Sequence, residues 1–223
     1  MVIDLVSLLI GIYGIYTNIV TVELPDHLSD GGHWQFLTNL SLVYSIIVFA
    51  IGFLAHLFHN QLLYDFKNLI HPVGIALESI VAIVYWPLRI WFLHLLVKDS
   101  QIRIPLITDL AIHLMPIVSL LIDYLVFMPK WTITNTTAFF IISQLTVGYW
   151  FLLKYLIDHE NGASYPYVFL NVDSDQKRLF VFFVISIIAF GQFLLLKKLY
   201  QVVVTVTEEF EREIDQELEK KEV

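Results

Sequence analysis

The sequence predicts an all-α fold, a polytopic transmembrane helical bundle of about six helices. Three observations predict it. Of 223 residues, 57% are hydrophobic and only 15% charged, and the mean hydropathy is +0.72. A soluble domain has roughly 45–50% apolar and about 25% charged residues, so the apolar surplus exceeds what one buried core absorbs. Apolar runs recur at the length of roughly 20 residues that a helix needs to cross the hydrocarbon. The breaks between them are short and rich in Pro, Gly, Asn and Asp, the composition of turns.

The predicted spans lie at about 2–20, 35–59, 72–97, 104–128, 136–157 and 179–205. The first carries Asp4 in place of a basic start and has no small-residue cleavage site, so it is expected to be a retained helix and not a signal peptide. The connections are Leu24–His33, Asn60–His71, Lys98–Arg103, Met128–Asn135 and Asp158–Lys177. None is long enough to separate two domains. Residues 1–206 are expected to form the membrane bundle and residues 207–223 an acidic cytosolic tail. That tail holds eight acids against Arg212, Lys220 and Lys221, a net −5 of the chain's −8. The bundle itself is close to neutral, and no basic patch points to nucleic acid.

Six spans put both termini on one face. Basic residues near the membrane divide four and four: Lys67, Lys130, Lys197 and Lys198 against Lys98, Arg103, Lys177 and Arg178. The positive-inside rule therefore does not choose an orientation. The last residues, Lys220-Lys221-Glu222-Val223, resemble the dilysine retrieval signal of endoplasmic-reticulum membrane proteins. That signal works from the cytosol, so both termini are expected there. Asn39-Leu-Ser41 and Asn135-Thr-Thr137 fit the glycosylation sequon, and neither is expected to be used.

Ionisable groups inside hydrocarbon are costly and mark function by default. Asp109 and His113 stand four apart, on one helix face, where a carboxylate can fix an imidazole's tautomer. Asp123 lies about 15 Å further along the axis, too far to join them. His56, His59 and Lys154 sit near span ends and can snorkel to the interface. Asn39 and Gln144 could serve as hydrogen bonds between helices. Cysteine is absent, and no compact set of three or four ligands offers a metal site, so no metal or cofactor is expected. There is no nucleophile elbow and no phosphate-binding glycine loop.

The stretch Glu23–Thr38 carries a more specific signal. Glu23, Pro25, His27, Gly31, Gly32, Trp34, Leu37 and Thr38 fall, without a gap, at the spacing of the first lumenal loop of the androgen-induced gene 1 and androgen-dependent TFPI-regulating protein family. The chain resembles that family over roughly residues 10–195, including Ile112-His113, Val147-Gly148-Tyr149 and Tyr165-Pro166. Gln35 departs from the family's usual Lys. The resemblance implies a multi-pass membrane hydrolase that cleaves fatty acid esters of hydroxy fatty acids, with Thr38 as nucleophile and His113 as base.

A threonine hydroxyl needs such a base, and neutral imidazole serves near pH 7. Asp109 would orient His113, and Asn39, Tyr149 and Gln144 are candidate oxyanion donors. The expected partners are a lipid ester and the surrounding lipids. The alternative is a non-catalytic membrane scaffold or a small lipid or solute transporter. Pro72, Pro87, Pro105 and Pro116 make the broken helices of transporters conceivable.

Overall fold

The computed structural model describes residues 1–96, 104–158 and 163–222, with the side chains of residues 95–96 and 208–222 excepted. Lys98, Arg103 and Val223 lie outside the described residues, as do the side chains of Lys220 and Lys221. In chain order the helices are α1 (Val2–Thr21), α2 (Asp26–Ser29), α3 (Leu37–Phe58), α4 (Gln61–Trp91), α5 (Leu93–Leu96), α6 (Leu106–His113), α7 (Met115–Ile122), α8 (Asn135–Leu156) and α9 (Asp175–Glu222). No strand occurs among the described residues.

Helices α1, α3, α4, α8 and the Asp175–Thr207 part of α9 are long and apolar enough to cross a membrane. Their outer faces leave large apolar side chains exposed, among them Phe140, Phe151, Phe180 and Leu195. Such faces suit acyl chains and not water.

The remaining span is broken. Helices α6 and α7, with a π-helical turn at Asp123–Phe127, meet at a bend of 42°. Pro116 at the start of α7 lacks an N–H and disfavours helical backbone just before it, which accounts for the break at Leu114. The pair traverses the bundle nevertheless. Its Asp109 meets Tyr85 and Arg89 near the end of α4, and its Asp123 meets Lys67 and His71 near the start. Residues 67 and 89 of a helix are about 33 Å apart, a full hydrocarbon thickness.

The third span corrects the sequence reading. Asn60–His71 is not a loop: α4 begins at Gln61 and runs straight through Pro72. The turn needs only His59, in the left-handed conformation at φ 47°, and Asn60, whose side chain accepts the Leu63 amide at 3.2 Å. Pro72 removes one backbone donor, which a helix packed among others tolerates. Lys67, expected at the cytosolic surface, is therefore only 3% exposed.

Lys67 holds the end of the bundle where α1 begins. Its Nζ lies 2.6 Å from Asp4 Oδ1 of α1 and 2.7 Å from Asp123 Oδ2 after α7. The Met1 ammonium stands 3.2 Å from Asp4, and His71 Nε2 3.5 Å from Asp123. All three spans are thus tied through one cation. Gly52 of α3 makes the room. A Cβ there would stand 2.2 Å from Asp4 Oδ1 and 2.7 Å from Lys67 Nζ.

Gly52→Ala is therefore expected to prise this pair apart and cost about 2–4 kcal/mol. Gly148→Ala is the control, because a Cβ there meets nothing within 4 Å. The measurement is the thermal midpoint in detergent, which should fall by several degrees for the first variant and hold for the second.

Candidate active site

The opposite end of the bundle collects the ends of α1, α4 and α8 and the starts of α3, α6 and α9. Thr38 stands in the first turn of α3, buried, after Phe36 has left the helix in extended backbone. The loop before it is folded around Gln35, which is fully buried. The Gln35 side-chain amide donates to the Leu28 carbonyl at 2.6 Å and the Gly32 carbonyl at 3.0 Å, and the Gln35 backbone carbonyl accepts the Tyr149 hydroxyl at 2.7 Å. Gly32 takes φ +56°, and a Cβ on Gly31 would press on the Gln35 side chain at 2.9 Å. The two glycines of the motif are thus required by the loop's tight fold.

A second loop, between α8 and α9, closes on the first. The Ser164 amide donates to the His27 carbonyl at 2.9 Å. Arg178 of α9 stiffens this loop, donating to the Leu170 and Val172 carbonyls, both at 2.9 Å, with its guanidinium 4.1 Å from the Tyr165 ring. The result presents Tyr167 to the start of α3. Its hydroxyl accepts the Leu37 amide at 3.1 Å, one of the first-turn donors that a helix leaves unpaired. Burial raises the Tyr167 phenol above its ordinary value, and hydrogen bonding to the Thr38 side chain offsets part of this. Tyr167 therefore keeps its proton beside Thr38.

His113 ends α6. Its Nδ1 lies 2.8 Å from Asp109 Oδ1, one turn earlier, as the spacing in the sequence predicts. A carboxylate only accepts, so Nδ1 carries the hydrogen and Nε2 keeps its lone pair. Tyr85 of α4 secures both partners. Its ring lies flat on the imidazole at 3.4 Å between centroids, and its hydroxyl donates to Asp109 Oδ1 at 2.5 Å. Trp86 donates to the His113 carbonyl at 3.2 Å, an acceptor that lies at the break between α6 and α7.

Two cavities meet here. The first, about 110 Å³, is lined by Thr38, Asn39, His113, Tyr85, Arg89 and Tyr167, among others. The second, about 310 Å³, runs between α3, α4, α8 and α9 against apolar residues such as Val73, Ile80 and Leu145. Thr38, Tyr85 and Tyr167 line both. Thr38 thus stands at the junction of a smaller chamber that carries the histidine and arginine side chains and a larger, more uniformly apolar one.

The structure brings Thr38, His113 and Asn39 to the first cavity, with Asp109 directly behind His113. It leaves Tyr149 and Gln144 in the second. The single proton of Tyr149 is taken by the Gln35 carbonyl. Asn39 is a strut: it donates to the His33 carbonyl at 2.7 Å and accepts from Asn18 at 2.8 Å. Its burial also keeps its sequon away from any glycan. Among the described residues, no group of three or more His, Asp or Glu is arranged to hold a metal ion. His56 instead pairs through Nδ1 with the Tyr64 hydroxyl at 2.7 Å.

Tyr85 and Tyr167 escape the sequence reading, and Arg89 enters it only as one of the ionisable groups inside a span, with no role. Aromatic residues at span ends read as an interfacial belt. The available signal was spacing: Tyr85 and Arg89 are four apart, one turn, and so share a helix face.

The model of the FAR-17a/AIG1-like protein family matches residues 1–201. A UPF0641 membrane protein of Saccharomyces cerevisiae is 33% identical over 199 residues, covering 82% of this chain and 83% of that protein. A UPF0641 membrane protein of Schizosaccharomyces pombe is 31% identical over 173 residues, covering 77% of each. No solved structure gives a significant match. The match to the family model takes in the Glu23–Thr38 motif, the Asp109–His113 turn and the Tyr167 loop, and the chain belongs to the FAR-17a/AIG1-like family of membrane proteins.

Proposed function

We propose that this chain is an intramembrane lipid-ester hydrolase of the kind that cleaves fatty acid esters of hydroxy fatty acids, with Thr38 as nucleophile and His113 as base. One observation carries this: the Asp109-bound His113 and the buried Thr38 line a single cavity, and an apolar cavity opens at the same threonine.

The proposed steps are these. His113 Nε2 takes the Thr38 hydroxyl proton as Oγ1 bonds to the ester carbonyl carbon. The negative charge passes to the carbonyl oxygen, for which Tyr167, a wall of the same cavity that keeps its proton, is the proposed donor. Collapse of this adduct breaks the bond to the alcohol oxygen, which leaves with the proton held on His113. A water then gives a proton to Nε2 as its oxygen bonds to the acyl carbon, and this second adduct collapses by breaking the bond to Thr38 Oγ1, which takes the proton back from Nε2 as the fatty acid leaves. Asp109 stabilises the imidazolium that forms twice in this cycle, as the third member of a triad does. The apolar cavity would hold the acyl chain.

The break between α6 and α7 is the observation that favours a transporter, since discontinuous helices line many transport sites. In the hydrolase the same break ends α6 at His113 and frees its carbonyl for Trp86. Location is part of the proposal. The dilysine-like terminus supports residence in the endoplasmic reticulum with cytosolic termini, which puts Thr38 on the lumenal half. Replacing Lys220 and Lys221 by serine should then move a tagged chain to later membranes of the secretory route, as seen by microscopy. Unchanged distribution would remove that support.

The catalytic assignment is tested with a fluorophosphonate probe and a fatty acid ester of a hydroxy fatty acid. Thr38→Ala should abolish both labelling and hydrolysis. His113→Ala should lower hydrolysis by more than about 100-fold and Asp109→Asn by about 100-fold. Labelling that survives Thr38→Ala would overturn the nucleophile. A folded parent inert to both reagents would favour the transporter or scaffold.

Tyr85 gives an independent check of the site's construction. Tyr85→Phe keeps the stacked ring and loses the bond to Asp109, for an expected cost of about 1–2 kcal/mol. Tyr85→Leu loses the stack as well, adding about 0.5–1.5 kcal/mol. The measurement is thermal unfolding followed by tryptophan fluorescence.

A further inference from the structure

The smaller cavity beside Thr38 has a one-sided charge. Its described lining contains Arg89 and three histidines, His27, His33 and His113, and no carboxylate. Burial lowers the His33 imidazole below its ordinary value, so at neutral pH it adds no charge. Arg89 is left as the permanent cation.

Arg89 is only loosely paired with its neighbour: its Nε faces Asp109 Oδ2 at 3.6 Å, too long for a hydrogen bond, while Asp109 Oδ1 is engaged by His113 and Tyr85. The Arg89 side chain is 42% exposed although it lines the cavity. A guanidinium carries five donors in a planar fork that matches a carboxylate. The fork lies one helical turn beyond Tyr85, which lines both cavities. An anionic group held there would lie in the cavity that Thr38 and His113 line, and Arg89 does not line the second cavity.

We propose that Arg89 is the specificity residue for a free carboxylate on the alcohol half of the ester. The smaller cavity thereby selects esters whose leaving alcohol is itself an acid over neutral esters of the same length. This deepens the hydrolase reading and rests on it for the word ester. The recognition of a carboxylate lipid can be measured without turnover.

The test uses the full-length protein in detergent, with a hydroxyoctadecanoic acid and its methyl ester as ligands, at a pH that keeps the lipid acid ionised. Binding is followed by tryptophan fluorescence. The parent should bind the acid about tenfold tighter than the methyl ester, the worth of one charge-assisted pair. Arg89→Gln should weaken the acid to the level of the methyl ester and leave the methyl ester unchanged. Arg89→Lys should keep an intermediate preference, because it retains the charge and loses the fork.

A parent that does not distinguish the two ligands would overturn the proposal. So would an Arg89→Gln variant that weakens both equally, since that is what loss of the Asp109 contact alone would do. Tighter binding of a lysophosphatidic acid of the same chain length, lost in Arg89→Gln, would replace carboxylate by phosphate and overturn the stated specificity. The same variants are then given the palmitate ester of each ligand. Selective binding of the acid with no hydrolysis of either ester would uphold Arg89 and overturn the hydrolase. Hydrolysis of both esters at equal efficiency by parent and Arg89→Gln would uphold the hydrolase and overturn Arg89.

Discussion

Lys67 lies between Asp4 and Asp123 with almost no access to water, and the arrangement of the whole bundle depends on that contact. A single charge at such a depth would be prohibitively costly, and a lone pair is close to neutral in its net effect. What the cluster contributes is register. Asp4 belongs to the first helix, Lys67 to the third span and Asp123 to the π-helical turn after α7. Sliding any one of these helices by a turn would strand a charge in hydrocarbon. Gly52 lets α3 come close enough to close the fourth side.

Register at this end determines geometry at the other. Helix α4 is continuous from Lys67 to Arg89, so fixing its start fixes where Tyr85 stands. The broken span α6 and α7 is fixed at Asp123 below and at Asp109 above. His113 lies between those two anchors, at the one place where the helix is interrupted. Its ring is held by Asp109 on the edge and by Tyr85 on the face. Such two-sided restraint is what a catalytic base requires, since an imidazole free to rotate would present the wrong nitrogen.

Much of this was legible in the sequence, for reasons that can be named. Helix count followed from apolar run length, because the hydrocarbon imposes it. The Asp109–His113 contact followed from a spacing of four on a helix. Contacts between distant residues were not legible. Lys67 looked like a loop residue because Pro72 looked like a helix start. A membrane helix absorbs an interior proline that would break a helix in water. Tyr167 lies 129 residues from Thr38 in the sequence, and only the pairing of two loops through Ser164 and His27 brings them together. No local pattern records that pairing.

Gln35 shows how a departure from a family pattern can be informative. The family's usual lysine there would place an ammonium where this chain buries an amide completely. The amide donates to two backbone carbonyls and so does part of what an ammonium would do, without the cost of burying a charge. The backbone carbonyl of the same residue, bonded to Tyr149, ties the loop to α8. The substitution therefore changes the charge of the loop and keeps its shape. Thr38, three residues on, is held by the same folded loop. That loop holds no lysine, and Arg89 is the permanent cation among the described residues that line the cavity beside Thr38.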